Sequence, residues 1–358
     1  MSYTNGLDKP SDYFETKLYT GNGSTQSITG LDFQPNMNWI KTRTRSGYNH
    51  CLVDSVRGVT KVLRPNLAYA EDTYTDALTS FNSDGFSLGA DNNGEQNKNG
   101  DSYVSWNWKA GTSVSGNTGG SGTAKTYTGS VNTDAGFSII RYIGNGTAGH
   151  TIPHHLGTTP TWFICRTISA AKEWDVYHHK LASSPESDYI VLNTTAAAAG
   201  ATDAADKWND TAPTSSVVTL GDSSQINTND GTCIMYAFSE KQGYSKFGSY
   251  TGNGNADGAF VYTGFKPAYV MIKLTSGAGE DWKIYDDKRL GYNAANKSLA
   301  ANTNVADSNS NISIDILSSG FKNRNTSGAL NSSGATYIFM AFASNPFVTS
   351  TGVPATAR

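Results

Sequence analysis

Short apolar runs separated by turn-forming residues recur along the whole chain. Three of these runs, at 39–40, 162–164 and 269–272, each follow a proline by a few residues. They lack the alternation of a strand with one solvated face, which predicts central strands that are buried on both faces. The segment at 137–142 is also strand-like and leads straight into a Gly-Asn-Gly turn. The pattern therefore predicts an all-β protein made of many short strands.

The chain repeats one set of signals three times. Each copy has a tyrosine that opens a Tyr-x-Gly-Asn-Gly element, a proline 16 to 18 residues later, and a basic residue six positions beyond the proline. These residues are Tyr19, Pro35 and Lys41 in the first copy, Tyr142, Pro160 and Arg166 in the second, and Tyr250, Pro267 and Lys273 in the third. A period near 105 residues matches a small domain and is too long for a solenoid unit.

These signals predict three tandem antiparallel β-sandwich repeats of the jelly-roll or lectin-like type. The predicted organisation is an N-terminal attachment arm at 1–13, β-sandwich repeats at 14–110, 134–241 and 242–347, a Gly/Ser/Thr linker at 111–133, and a C-terminal tail at 348–358. The linker prediction rests on the stretch GTSVSGNTGGSG, whose composition is typical of flexible connectors.

Composition and charge narrow the classes of function. The chain has 27 Lys and Arg against 30 Asp and Glu, and only 16% of its residues are charged. A protein that binds nucleic acid electrostatically needs a basic surplus, so no nucleic-acid partner is expected. No apolar run reaches the length of about 18 residues that spans a bilayer, so no membrane insertion is expected. The cysteines Cys51, Cys165 and Cys233 are expected to be buried, unreactive thiols.

Two groups of polar residues invite a metal-binding or catalytic interpretation. Five of the six histidines lie between His150 and His179, and clustered imidazoles can bind Zn²⁺ or Ni²⁺. Glu173 and Asp175 share one face of a predicted strand, as the carboxylates of jelly-roll glycosidases do, but His178 stands where the acid is needed. We expect no catalytic residues, no metal site and no cofactor. Metal binding by the histidines and glycan hydrolysis remain the alternatives.

Candidate ligand-binding residues lie in a polar loop of the second repeat. Trp208 is a lone tryptophan there, and aromatic rings can stack on the apolar C–H faces of sugars. Asn209 and Asp210 follow it with hydrogen-bonding groups, and His178 and His179 complete the predicted ligand-binding set. The alternative is that Trp208 anchors its loop against the sandwich.

Several stretches resemble virion-associated proteins of marine tailed bacteriophages. They include DKPSDYF, LYTGNGSTQSITG, NGDSYVSWNWKAG, WNDTAPTSSV and YIFMAFASNPF. Proteins of that kind carry tandem copies of a domain of unknown function of about 100 residues and are described as tail-fibre or structural proteins. The resemblance covers nearly the whole chain, but it brings no catalytic residues with it. It implies a non-enzymatic structural protein of the virion, assembled in the cytoplasm of the bacterial host.

The preferred hypothesis is therefore a tail-fibre, spike or surface-adhesin protein that contacts host surface glycan. We expect it to act as a trimer together with other virion proteins of the tail or capsid. The trimer is implied by the resemblance, and low charge and open sheet edges favour association. A purely architectural capsid-decoration or tail-assembly subunit is the first alternative, and a glycan depolymerase is the second. A receptor binder should expose aromatics at loop tips, whereas an architectural subunit should expose apolar patches on sandwich faces.

Overall fold

The computed structural model describes residues 7–200, 205–289, 293 and 295–354. Within these ranges the only α-helix is Ala205–Trp208, and 3-10 helices lie at Pro10–Asp12 and Pro185–Ser187. The sheets are built from antiparallel strand pairs, so the all-β prediction is confirmed. No helix in the described part of the chain is both long and apolar enough to cross a membrane.

The sheets fall into three groups along the chain, which we call the first, second and third bodies. The strands of the first body are β1 (Phe14–Thr20), β2 (Gln26–Thr29), β3 (Met37–Thr42), β4 (Cys51–Asp54), β5 (Lys61–Val62), β6 (Asp72–Thr73), β7 (Leu78–Asn82), β8 (Gly85–Leu88) and β9 (Ser102–Trp108). They form a four-stranded sheet in the order β1-β9-β3-β4, a three-stranded sheet β2-β8-β7 and the pair β5-β6.

The second body has two sheets. Its strands are β10 (Thr112–Asn117), β11 (Gly119–Gly120), β12 (Thr126–Asn132), β13 (Phe137–Ile143), β14 (His150–Pro153), β15 (Trp162–Thr167), β16 (Asp175–His178), β17 (Asp188–Val191), β18 (Ala199–Gly200), β19 (Val217–Leu220) and β20 (Thr232–Phe238). Eight of them follow the order β10-β12-β13-β20-β15-β16-β17-β18, and the other three follow β11-β14-β19.

The third body is one eight-stranded sheet. Its strands are β21 (Ser245–Thr251), β22 (Phe260–Tyr262), β23 (Phe265–Leu274), β24 (Lys283–Asp286), β25 (Ala295–Ala300), β26 (Ser308–Leu317), β27 (Gly320–Asn323) and β28 (Thr336–Pro346). The order is β21-β28-β23-β24-β25-β26-β27-β22, so β21 and β22 are its two edges.

One four-strand order recurs in all three bodies. It is β1-β9-β3-β4 in the first, β13-β20-β15-β16 in the second and β21-β28-β23-β24 in the third. The strand that follows Pro35 or Pro160, and the strand that contains Pro267, each lie inside their sheet, and β3 and β15 are buried at every residue. The prediction of central strands buried on both faces is therefore confirmed, and the continuous apolar runs explain it.

The largest hydrophobic core is shared by all three bodies. Trp108, Phe238 and Phe342 end the equivalent stretches of β9, β20 and β28, and they meet in this core. The ring centroid of Trp108 lies 6.5 Å from that of Phe238 and 5.6 Å from that of Phe342, and the two phenylalanines are 5.7 Å apart. Tilted and edge-on aromatic contacts at these distances are favourable beyond the area that they bury.

Polar contacts between the bodies follow a cycle around this core. Each involves a residue of β9, β20 or β28 and the last residue of β4, β16 or β24 in a neighbouring body. Tyr236 of the second body donates to Asp54 of the first at 2.6 Å, and Trp106 of the first donates to Asp286 of the third at 3.1 Å. In the same cycle, His178 of the second body lies 3.3 Å from the carbonyl oxygen of Phe339 in the third.

The basic residues of the second and third repeated sets bond to a neighbouring body. Arg166 donates to the backbone carbonyl of Tyr69 in the first body at 2.5 Å, and Lys273 donates to that of Thr195 in the second at 3.2 Å. The first-body residue Lys41 is fully buried. Burial lowers the pKa values of Lys41 and Lys273 to about 8. Arg166 and Lys273 therefore connect neighbouring bodies, whereas Lys41 donates to the carbonyl of Thr42 in its own body.

The segment predicted as a flexible linker differs from that expectation. Strand β12 pairs with β13 over Thr126–Asn132, and β10 pairs with β12 over Thr112–Asn117. Tyr127 and Val131 of β12 are buried in the core of the second body. Serine, threonine and glycine are common in flexible connectors and also in exposed edge strands. The burial of Tyr127 and Val131 explains why this segment is a strand.

The described part of the predicted arm packs on its own chain. Residues 1–6 of this arm lie outside the described residues. Leu7 is buried in the shared core, and the ring of Tyr13 lies 5.9 Å from that of Tyr244 in the third body. Tyr13 thus has a partner within the chain, whereas the sequence predicted docking on another molecule.

The predicted tail is described as far as residue 354. Its backbone N–H at Ser350 donates to the carboxylate of Asp8 at 2.6 Å. The described ends of the chain therefore lie beside each other, as the ends of compact domains often do.

Candidate functional site

Trp208 is not an exposed platform. Its side chain is only 1% exposed, and its ring contacts those of Phe163 and Tyr177 at centroid distances of 4.8 and 6.3 Å. Its indole N–H donates to the carbonyl of Asp188 at 3.0 Å. This contradicts the predicted sugar-stacking role and supports the alternative of a loop anchor. The polar neighbours of Trp208 in sequence concealed these contacts with distant residues.

The other predicted ligand residues are dispersed. Asn209 and Asp210 occupy left-handed backbone conformations, with φ of 53° and 44°, in the turn after Trp208. His178 is fully buried at the boundary between the second and third bodies. His179 lines an open groove, where its Nε2 donates to the carbonyl of Phe247 at 2.7 Å. The structure therefore does not bring the five residues together.

The histidines of the second body have different hydrogen-bond partners. His150 contacts the side chains of Asn227 and Thr118, and His155 contacts the hydroxyl of Tyr127. Among the described residues, no group of three or more His, Cys, Asp or Glu side chains is arranged to hold a metal ion.

Buried histidines at the boundaries are held neutral. Nδ1 of His178 accepts from the backbone N–H of Lys180, so Nε2 carries the proton and donates to a carbonyl. Nδ1 of His50 likewise accepts from the indole of Trp39, and its Nε2 donates to the carbonyl of Ala300 in the third body. Burial lowers the pKa of His178 to about 3 and that of His50 well below its usual value.

Glu173 and Asp175 do not form a cleft with two carboxylates. Asp175 is 1% exposed and forms an ion pair with Lys207 at 2.9 Å. Glu173 instead accepts a hydrogen bond from Asn193. Burial raises the pKa of Asp175, although the ammonium of Lys207 opposes this. A buried carboxylate cannot reach a polysaccharide from solvent, so this pair gives no support to glycan hydrolysis.

The Tyr-x-Gly-Asn-Gly element builds a clamp in every body. A buried asparagine accepts from the backbone N–H of the Asn in the turn, and these pairs are Asn97 with Asn22, Asn227 with Asn145, and Asn331 with Asn253. The tyrosine hydroxyl donates to the carbonyl of the residue before the buried asparagine, and these pairs are Tyr19 with Gln96, Tyr142 with Ile226, and Tyr250 with Leu330. The paired asparagines are 75, 82 and 78 residues apart, so short-range patterns did not reveal the clamp.

The first glycine of the element is required by close backbone contact. A Cβ at Gly144 would lie 2.3 Å from the carbonyl oxygen of Thr228, and one at Gly252 would lie 2.2 Å from that of Ser332. The side chain of the buried asparagine already accepts a hydrogen bond from one backbone N–H of the turn. The element is therefore a structural clamp.

The open edges of the third body border a groove of about 320 Å³, which we call the seam groove. One wall is β21, with Ser249 and Tyr250, and the other is β22, with Phe260 and Tyr262. Phe260 is 48% exposed and Tyr262 is 53% exposed, although both are large apolar side chains. Lys246 lines the groove and forms an ion pair with Glu240 at 2.6 Å. Contiguous exposed aromatic side chains mark grooves that bind a ligand or partner.

A family model for a domain of unknown function, DUF7483, matches residues 9–346. The chain belongs to the DUF7483 family. The match treats the three bodies as one domain, which agrees with their shared core. No curated protein and no solved structure matches the chain.

Proposed function

We propose that this DUF7483 protein is a non-enzymatic structural protein of a tailed-bacteriophage particle. We also infer that its bodies are three copies of one jelly-roll or lectin-like β-sandwich. The observation that carries the proposal is the cycle of contacts around Trp108, Phe238 and Phe342, which fixes three sheets in a single chain. The resemblance of its motifs to virion proteins supports the assignment to a phage particle. The packing of three bodies around one core supports a structural role.

An architectural role has better support than a receptor-binding role at loop tips. Trp208, the loop candidate that the sequence indicated, is buried, and of the exposed aromatic side chains Tyr69 lies in a loop whereas Phe260 and Tyr262 lie along a sheet edge. Host glycan is a second candidate binding partner, because the exposed rings of Phe260 and Tyr262 could stack on sugars. We propose that other virion proteins are the main partners and that the particle holds the chain as a trimer.

Purified particles of the phage that encodes the chain provide the test. We expect the chain to sediment with the particles in a fixed copy number and to be located on their tail or capsid by cryo-electron microscopy. A chain that stays in the soluble lysate and never sediments with particles contradicts the proposal. Sedimentation of the isolated protein tests the trimer separately, and a strict monomer at high concentration counts against it.

A further inference from the structure

The second body shows what can cover the edges that border the seam groove. Its strand β13 holds the place of β21 in the recurring strand order, and β14 and β22 are the strands that follow them in the chain after the Gly-Asn-Gly turn. In the second body β12 pairs with β13, and β11 pairs with β14. One continuous stretch, 119–132, thus fills that seam. The third body has only 239–244 before β21, so nothing in the described chain takes the same place.

Strand β21 presents backbone groups to the groove at the spacing of a strand. The N–H of Gly252 donates to the carbonyl of Ala335 next to β28, which places every second residue of β21 toward β28. The alternate residues Ser249 and Thr251 therefore turn their N–H and C=O groups toward the seam. The carbonyl of Phe247 accepts from His179, which ends the available edge.

The side chains around the seam also differ between the second body, where the seam is covered, and the third body, where it is open. In the second body Tyr127 of β12 lies opposite Tyr142 and is 6% exposed. In the third body Tyr250 occupies the position of Tyr142 and stacks on Tyr337 of β28, but no described strand pairs with the groove side of β21, and Phe260 and Tyr262 stay open to solvent. A strand that paired with the groove side of β21 would occupy the groove that both rings line.

We propose that the seam groove accepts an extended strand from another polypeptide, which pairs with β21 as β12 pairs with β13. The strand has the chemistry of Thr126–Asn132: it is uncharged, carries small hydroxyl side chains and contains one aromatic residue. A second copy of this chain is not the donor through its own β12, because that strand is paired on both sides. Strand addition gains main-chain hydrogen bonds along the edge and specificity from alternate side chains. The inference does not depend on the proposed particle role.

The test uses the full chain and a capped peptide of sequence TYTGSVN, added up to about 1 mM, which covers weak binding. We expect saturable binding by fluorescence anisotropy and slower hydrogen exchange of Ser249 and Thr251. Ser249→Pro removes the outward N–H at a sheet edge that tolerates proline, and it should weaken binding at least tenfold. The matched control Ser113→Pro alters the edge strand β10 instead and should leave binding at β21 unchanged.

Three outcomes would overturn the inference. The first is an absence of saturable protection at Ser249 and Thr251. The second is peptide binding that Ser249→Pro does not affect while the variant keeps the wild-type circular-dichroism spectrum. The third is binding of host-envelope oligosaccharide that Phe260→Ser abolishes and Ser249→Pro does not, since this would assign the groove to sugar.

Discussion

At the scale of single residues, buried asparagines and histidines hold the loops and boundaries of this protein. Asn227 is fully buried, accepts from Asn145 at 2.9 Å and donates to two carbonyls. Asn227→Ala would leave these groups without partners, and each unsatisfied buried group costs about 1–3 kcal/mol. We expect the free energy of unfolding to fall by about 2–4 kcal/mol in urea titrations. Asn229→Ala, in an exposed turn nearby, is the control and should change it by less than about 0.5 kcal/mol.

The neutral histidines predict a loss of stability in acid. Burial lowers the pKa of His178 to about 3 and that of His154 to about 4. At these two positions the unfolded chain therefore binds more protons than the folded chain below about pH 6.5, so the contribution of the two histidines to stability falls as pH falls from that value. At pH 5 each fully buried histidine costs about 2 kcal/mol relative to neutral pH. Melting temperatures measured from pH 7.5 to pH 5 should follow this trend.

The variant His178→Asn isolates one of these protons. An asparagine can accept from the backbone N–H two residues later, as Asp54 does from Val56 in the first body. The local turn should therefore persist while one titrating group disappears. The acid limb of the stability curve should become shallower in the variant, and an unchanged slope would show that His178 does not contribute.

At the scale of elements, β12 is a central strand and not a connector. Its amides pair with β13 on one side and β10 on the other. We expect the amides of Thr126–Asn132 to exchange hydrogen about tenfold or more slowly than those of Ser113 and Ser115 on the edge strand β10. Hydrogen-exchange mass spectrometry measures both in one experiment. Uniformly fast exchange across 111–133 would restore the flexible linker.

The strands that could be predicted are those whose signal is local. The apolar run of β15 is continuous, so its sequence alone indicated a strand inside a sheet. The identity of β10 as a strand could not be read in the same way, because five of its six residues are exposed and only pairing with β12 defines it. The same reason explains Trp208, whose sequence neighbours are polar while its packing partners Phe163 and Tyr177 are distant in sequence.

At the scale of the whole molecule, the shared core should make the bodies unfold together. Trp108 contacts Phe238 of the second body and Phe342 of the third. Trp108→Ala should lower the free energy of unfolding by about 3–5 kcal/mol. It should also raise hydrogen-exchange rates in all three bodies. Leu78→Ala removes a residue from the separate core of the first body, and its effect on exchange should be strongest there. Confinement of the Trp108→Ala effect to the first body would contradict a cooperative core.

The seam groove and the cycle of contacts could not be predicted from the sequence, because both form between strands that are far apart in the chain. The chain does hold a clue, because Trp108, Phe238 and Phe342 are aromatic residues at one repeated position. That recurrence alone does not show that the three rings meet, since each lies in a different body. The open edge of β21 likewise becomes visible only beside the covered edge of β13.

The meeting of Trp108, Phe238 and Phe342 has a consequence for how this protein can change during evolution. On the axis of a true homotrimer every substitution enters three times, so an indole there must pack against two more indoles. One chain that supplies all three positions can combine an indole with two smaller phenyl rings. The same freedom allows His178 to stand where the other two bodies have aspartates. Each of these positions can therefore change by one substitution that alters one site, whereas in a homotrimer the same substitution would alter three symmetry-related sites.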